Sequence, residues 1–364
     1  MNKKHIFIIA GESSGDQHAA NYVKEHKKLN SNHYFSAIGQ QELKDSGADI
    51  IFNSESISVV GIIEVISKYS KIKKALDTAY NHIIKNKPDL IVLVDYVEFN
   101  LKIAKFAKHR NIPILFYIAP QVWAWRKKRI KTIMNLVNHL AVVFPFEENL
   151  FKDYMPNVTY VGHPLADDKR FFSPQNINDK KPIDVGIFPG SRESEIKNNI
   201  RFMINTANSL STNINIFYSN QTSKRFIQKL YPELTRCLFS GKDTNKIKEC
   251  KRAITASGTI TLELALLNIP MIIMYRLSPI TYFIMKQLVR LKYIGLVNLI
   301  LGDSLGSKPI VKEFIQPKMN DKSASTALKS LKSEDFIDGY NQIRKLLKPG
   351  ASKNVAIIAE RMIN

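Results

Sequence analysis

The residues with chemistry to offer cluster in a few short stretches. Val185-Gly186-Ile187-Phe188-Pro189-Gly190-Ser191-Arg192-Glu193 reads as a buried strand, a small-residue turn and a helix start. Such a turn brings open backbone N–H groups and the positive end of a helix to the carboxyl end of a sheet, where anions bind. Gly190 and Ser191 let the backbone approach a phosphate, and Arg192 can hold its oxygens in a two-pronged fork. Ser257-Gly258-Thr259-Ile260-Thr261-Leu262-Glu263 repeats the device. There Thr259 is placed to cap a helix, and Glu263, one turn on, can accept hydrogen bonds from the vicinal hydroxyls of a ribose. Each turn alone is explained by ordinary helix capping. Two in one predicted domain point to a nucleoside diphosphate.

The N-terminal half carries a third such turn, Ile6-Phe7-Ile8-Ile9-Ala10-Gly11-Glu12-Ser13-Ser14-Gly15-Asp16. It lacks the full G-x-G-x-x-G pattern, which disfavours a nicotinamide enzyme. Asp95 ends a strand, and Glu98 follows three residues later. Carboxylates at the carboxyl end of a parallel strand sit at a cleft mouth, where one can act as general base toward a hydroxyl; loop-capping acids have the same appearance. Both tryptophans, Trp123 and Trp125, precede the basic run Arg126-Lys127-Lys128-Arg129. They suit sugar stacking, a membrane interface, nucleic acid or plain core anchoring.

The elements that must position these residues alternate. Strands are expected at 5–10, 34–38, 89–94, 114–118 and 140–144, with helices at 16–29, 68–84, 99–110 and 126–137. The run from Leu90 to Val94 is continuously apolar, as in a strand covered on both faces. A polar stretch at 166–183, with Pro164, Pro174 and Pro182 nearby, reads as a linker. A second series follows: strands at 184–188, 214–218, 236–239, 252–255 and 270–274, and helices at 194–210, 223–230, 243–250 and 259–267. Amphipathic pieces near 279–292 and 323–364 complete the chain. This is an α/β protein of two doubly wound parallel sheets, with domains at 1–165 and 166–344 and a final helix, about 345–364, packing back on the first.

With 364 residues, 45% of them hydrophobic, the chain can build two ordinary cores. Two cysteines, Cys237 and Cys250, follow no redox or metal spacing, which fits a reducing cytoplasm. The eight histidines form no metal-ligand pattern, and a lone one such as His163 reads as structural. There is no nucleophile elbow. No apolar stretch reaches the roughly 20 residues of a membrane span, and the N-terminal run is too short for a signal peptide. The formal net charge of +21 favours an anionic partner: nucleic acid, a membrane surface or a phosphorylated substrate. A basic nucleic-acid binder would cluster its cations and aromatic platforms on one face, and only 123–129 has that pattern.

Taken in order, these segments resemble the lipid-A-disaccharide synthases, glycosyltransferases of family 19 with the GT-B fold. The likeness runs nearly end to end through 10–16, Val60-Gly61-Ile62-Ile63-Glu64-Val65, Pro120-Gln121-Val122-Trp123-Ala124-Trp125-Arg126, Phe144-Pro145-Phe146-Glu147, Val161-Gly162-His163-Pro164, 189–192, 257–263, Leu296-Val297-Asn298-Leu299 and Val311-Lys312-Glu313. The resemblance implies two facing Rossmann-like domains with the sugar nucleotide held by the second. It implies transfer of 2,3-diacylglucosamine from UDP to the 6-hydroxyl of 2,3-diacylglucosamine 1-phosphate, with no metal or cofactor. It makes Gly190, Ser191, Arg192, Ser257, Gly258, Thr259, Glu263, Asn298 and Glu313 donor-side residues, and Asp95 or Glu98 the base. Glu12, Ser14, Asp16, Trp123 and Arg126 become acceptor-side candidates. The family usually has Asp where this chain has Glu98, so the choice of base between Glu98 and Asp95 stays open; it also often has Met where this chain has Val60. The alternative within the fold is another UDP-sugar enzyme, an epimerase or a different transferase. Lipid substrates imply a peripheral place on the cytoplasmic face of the inner membrane, held by anionic lipids and not by nucleic acid. The apolar run 57–66 with Lys68, Lys71, Lys73 and Lys74 could lie on that surface, as could 282–293 with Lys286, Arg290 and Lys292.

Overall fold

The computed structural model describes residues 3–57, 69–118, 127–172, 181–210, 213–276, 293–302, 309–316 and 321–364. They form two compact units, one of Met1–Asp167 with Leu347–Asn364 and one of Asp168–Leu346.

The first unit is built on a parallel sheet of seven strands in the order β3-β2-β1-β4-β5-β6-β7. These are β1 (His5–Ala10), β2 (Tyr34–Gly39), β3 (Asp49–Asn53), β4 (Leu90–Val94), β5 (Ile114–Tyr117), β6 (His139–Val142) and β7 (Val158–Tyr160). β4 is buried at every position, because helices cover both faces of a parallel sheet. Phe7, Ile9, Ile91 and Leu93 pack on one side with Ile103 and Ala104 of the Val97–Lys108 helix.

The Ala351–Ile363 helix belongs to this unit and packs along the Ser13–Leu29 helix. Backbone bonds secure its approach: His163 N–H donates to Lys348 O at 2.9 Å, and Gly350 N–H to Asp167 Oδ1 at 2.5 Å. Gly162, at φ +98°, is required there, since a Cβ would lie 2.4 Å from Lys348 O.

The second unit has six parallel strands in the order β10-β9-β8-β11-β12-β13. These are β8 (Ile183–Phe188), β9 (Ile214–Tyr218), β10 (Leu238–Ser240), β11 (Cys250–Thr255), β12 (Met271–Tyr275) and β13 (Glu313–Ile315). Three strands escape the sequence pattern: β3, β7 and β13 are only three to five residues long and half-exposed edges, too short to show a period.

Several expectations are corrected. The first helix begins at Ser13 and not near 16, so Ser14 and Asp16 lie within it and only Gly11 and Glu12 form the turn. Ile57, the start of the apolar run assigned to a membrane surface, is wholly buried. The rest of that run, Trp123 and Arg126, and nearly all of 282–293 lie outside the described residues. Among the described residues no helix is long and apolar enough to cross a membrane.

Candidate functional site

Both sheets change direction once, and the turns that carry several of the candidate residues lie there. In the first unit the chain winds one way from β1 to β3 and the other way from β4 to β7. In the second it winds from β8 to β10 and then from β11 to β13. At such a switch point the loops leaving adjacent strands diverge and open a crevice at the carboxyl ends. The turn at Gly11–Glu12 follows β1 and Asp95–Tyr96 follows β4, its neighbour. The turn 189–192 follows β8, and 256–259 follows β11, its neighbour.

In the first unit Gly11 is fixed by what lies over it. A Cβ there would fall 2.1 Å from the Tyr96 ring, so only glycine lets that ring close down. The Tyr96 hydroxyl donates to Ile57 O at 2.7 Å. Asp95 and Tyr96 both have left-handed backbones, at φ +48° and +41°. Two consecutive non-glycine residues in that region carry strain of about 1–3 kcal/mol each, and the surroundings must hold it. They do so through Asn100, buried in the following helix, whose Nδ2 donates to Asp95 O at 2.7 Å, and through Asp95 N–H bound to Tyr117 O at 3.2 Å. Burial raises the Asp95 carboxyl above the ordinary carboxylate range, opposed by the Tyr96 N–H. Glu98 is exposed in the first turn of the Val97–Lys108 helix. Glu12 precedes the first helix in extended conformation, half-buried, and its charge helps burial push Tyr96 up to about 12.

Asp16 has a different task from the one expected. It is 1% exposed, and its oxygens accept the N–H groups of Gln40 at 2.5 Å, Glu42 at 3.0 Å and Leu43 at 3.3 Å. Its carboxylate is thus committed to starting the short Gln41–Asp45 helix. Ser14 is exposed. Two histidines near these strand ends are held neutral: burial lowers His18 to about 4 and His163 to about 3.

In the second unit Glu195 organises the first turn. Its Oε2 accepts Ser191 N–H at 3.2 Å, and its Oε1 accepts the Tyr275 hydroxyl at 3.1 Å. Arg192 Nη1 stands 3.6 Å from Oε1 with its side chain 54% exposed, placed to meet an anion. Gly190, at φ +113°, has no room for a Cβ, which would fall 2.7 Å from Glu195 Oε2.

The second turn presents open backbone. The amides of Gly258, Thr259 and Ile260 make no hydrogen bond among the described residues. Gly258, at φ +151°, has nothing within 4 Å of where a Cβ would be. Thr259 itself is exposed and does not cap the Ile260–Leu266 helix through its side chain; its own backbone is already helical, not extended as at a side-chain N-cap. Burial pushes Glu263 up to about 7, with the Arg170 guanidinium pulling it down and Asp168 pushing it up. Asp168 and Arg170 form a fork, with Nε 3.0 Å from Oδ1 and Nη2 2.5 Å from Oδ2. These two were missed because they fall in the stretch read as linker.

Asn298 and Glu313 are also occupied differently from what was expected. Asn298, 2% exposed, donates to Val311 O at 2.8 Å and to Glu313 Oε1 at 2.7 Å, and accepts Val311 N–H at 3.1 Å. Glu313 accepts Ile294 N–H and Gly295 N–H, each at 2.9 Å. Both side chains bind protein backbone and each other.

A separate cluster joins His26, His33 and Glu360 in the first unit. Glu360 Oε2 lies 2.9 Å from His26 Nε2 and 3.1 Å from His33 Nε2. Lys4 N–H donates to His33 Nδ1 at 3.3 Å, so the ring's proton sits on Nε2 and points at the carboxylate. A metal would need that nitrogen bare; Glu360 of the last helix is instead hydrogen-bonded to His33 and lies against His26.

The family model for lipid-A-disaccharide synthetase matches residues 6–362. The chain belongs to the lipid-A-disaccharide synthase family. It is 33% identical to the lipid-A-disaccharide synthase of Coxiella burnetii (strain Dugway 5J108-111) over 384 aligned positions covering 100% of both. It is 36% identical to that of Geobacter sulfurreducens over 337 positions, covering 86% of this chain and 84% of the relative. Among solved structures it is similar to the UDP-GlcNAc 2-epimerase of Neisseria meningitidis bound to UDP-GlcNAc, at TM-score 0.63 and 12% identity, covering 99% of each chain. It is also similar to the glycotransferase of kitacinnamycin, at TM-score 0.61 and 12% identity, covering 100% of each. The fold is GT-B. As a lipid-A-disaccharide synthase the chain is a glycosyltransferase of lipid A biosynthesis.

Proposed function

We propose that the enzyme transfers 2,3-diacylglucosamine from UDP to the 6-hydroxyl of 2,3-diacylglucosamine 1-phosphate with inversion, releasing UDP and a β-1,6-linked disaccharide 1-phosphate. The observation that carries this reading is the pair of turns at the β8/β11 switch point. Open amides at 258–260 and the exposed guanidinium of Arg192 suit a diphosphate, and Glu263 suits the ribose diol. On this reading the Asp168–Leu346 unit holds the donor, and the switch point of β1 and β4 belongs to the acceptor.

In the displacement, Asp95 or Glu98 removes the proton of the 6-hydroxyl as its oxygen attacks the anomeric carbon. The bond from that carbon to the diphosphate breaks, and its electron pair leaves with UDP. The amides at 258–260 and Arg192 stabilise the negative charge that builds on the leaving group. The raised pKa of Asp95 and its strained, firmly held backbone favour it as base, because a base is most effective when its pKa approaches the working pH. No step calls for a metal or cofactor.

The test is UDP release from UDP-2,3-diacylglucosamine with and without the monophosphate acceptor. Release that requires acceptor and yields the disaccharide supports transfer; release or isomerisation without acceptor points to an epimerase-type reaction instead. Asp95→Asn and Glu98→Gln, measured separately, identify the base: near-normal kcat in both places it elsewhere.

On this reading the substrates are lipids, and the enzyme works as a peripheral protein at the cytoplasmic face of the inner membrane. Tyr69, Lys71, Lys73 and Lys74, all exposed at the start of the Tyr69–Asn86 helix, support contact with anionic lipid there. Binding to vesicles should rise with anionic lipid content and weaken with salt.

A further inference from the structure

We propose that Glu313 and Asn298 are positioning residues, acting through the carbonyl of Ile294 to orient Ser257 and the amide-lined turn that follows it. The inference deepens the reading of that turn as the diphosphate site and rests on it.

A single chain of hydrogen bonds runs from β13 to the turn. Asn298 ties Val311 by both its amide groups, through Val311 O at 2.8 Å and Val311 N–H at 3.1 Å. The same Nδ2 donates to Glu313 Oε1 at 2.7 Å. Glu313 then accepts Gly295 N–H and Ile294 N–H, each at 2.9 Å, so its carboxylate receives three donors. Ile294, held by its N–H, offers its carbonyl to the Ser257 hydroxyl at 2.7 Å. Gly295 makes this possible: a Cβ there would lie 2.3 Å from Ile273 Cδ1 and 3.0 Å from Glu313 Oε1.

Two consequences follow for the turn. A serine hydroxyl has one proton, and here it goes to Ile294, so Ser257 offers a ligand only lone pairs. A phosphate oxygen needs donors, so the turn must bind through its backbone amides, whose direction Ser257 sets. Three of the roughly four lone-pair sites of the Glu313 carboxylate are already taken, too few left to accept both hydroxyls of a ribose as well. Its contribution to donor binding is indirect.

The experiment measures UDP binding by calorimetry, with kcat and both KM values, for wild type, Ser257→Ala, Ser257→Thr, Glu313→Gln and the double variant Ser257→Ala/Glu313→Gln. Ser257→Ala removes one bond and should weaken UDP about fivefold. Ser257→Thr keeps the hydroxyl and should bind as wild type does. Glu313→Gln turns an amide group toward donors and should weaken UDP by about tenfold or more. The double variant should bind no more weakly than Glu313→Gln, because both changes cut one chain. The acceptor KM should hold steady. Additive losses, a Ser257→Thr as weak as Ser257→Ala, or an equal rise in both KM values would overturn the inference. If Glu313→Gln fails to fold, as its melting would reveal, the half-exposed Ser257 pair still decides. Failure of wild type to bind UDP would sink the donor-site reading; binding by wild type and undiminished binding by Ser257→Ala and Glu313→Gln would sink only this one.

Discussion

Replacing Glu263 by Gln should stabilise the protein at alkaline pH and not at acid pH, while costing it UDP. The folded chain holds a proton on Glu263 up to about pH 7, against an ordinary value of 4.5. The folded form therefore binds more protons than the unfolded one between those values, and stability contributed by this group is lost as pH rises through 7. Integrating that difference from near pH 5 to near pH 8 gives a loss of about 2–3 kcal/mol. Gln keeps the shape and carries no charge, so the variant escapes the loss. Urea denaturation of both proteins near pH 5 and near pH 8 checks it: the gain of E263Q should grow by about 2–3 kcal/mol over that interval. A gain that is the same at both values would refute the reasoning, because burial of charge would then not be what raises the group. UDP affinity supplies the functional half. Only the ionised carboxylate accepts from both ribose hydroxyls, so wild-type affinity should rise from about pH 6 to about pH 8, and that of E263Q should stay flat and lower.

The neighbouring pair gives a directional check. Asp168→Asn leaves Arg170 unopposed and should move the midpoint of the UDP–pH profile down, whereas Arg170→Met should move it up. Gly11→Ala should force the Tyr96 ring out and break its bond to Ile57, costing about 1–3 kcal/mol in thermal or urea unfolding. Asp16→Ala should lower stability by about 2–3 kcal/mol, since three amides at 40–43 lose their acceptor, with kcat per folded molecule nearly unchanged. Gly190→Ala should weaken UDP binding by tenfold or more on the order of its backbone strain, read by calorimetry.

The fold class was legible because long buried strands write continuous apolar runs, as from Leu90 to Val94, and small residues mark the turns that follow them. The short edges β3, β7 and β13 were not, because a strand of three to five half-exposed residues carries no period. Residue types named Arg192, Glu263, Asp95 and the glycine turns as candidates, since those types have few other reasons to stand after a strand. Strand order decided the rest. That β1 lies beside β4 and β8 beside β11 is a long-range pairing without local signal, and it is what brings Gly11 under Tyr96 and the turn 189–192 beside 256–259. Likewise a carboxylate or carboxamide reads the same in sequence whether it meets a ligand or the backbone. Asp16, Asn298 and Glu313 were assigned to structural bonds only by the amides the fold carries to them, because hydrogen bonding depends on distance in space and not along the chain.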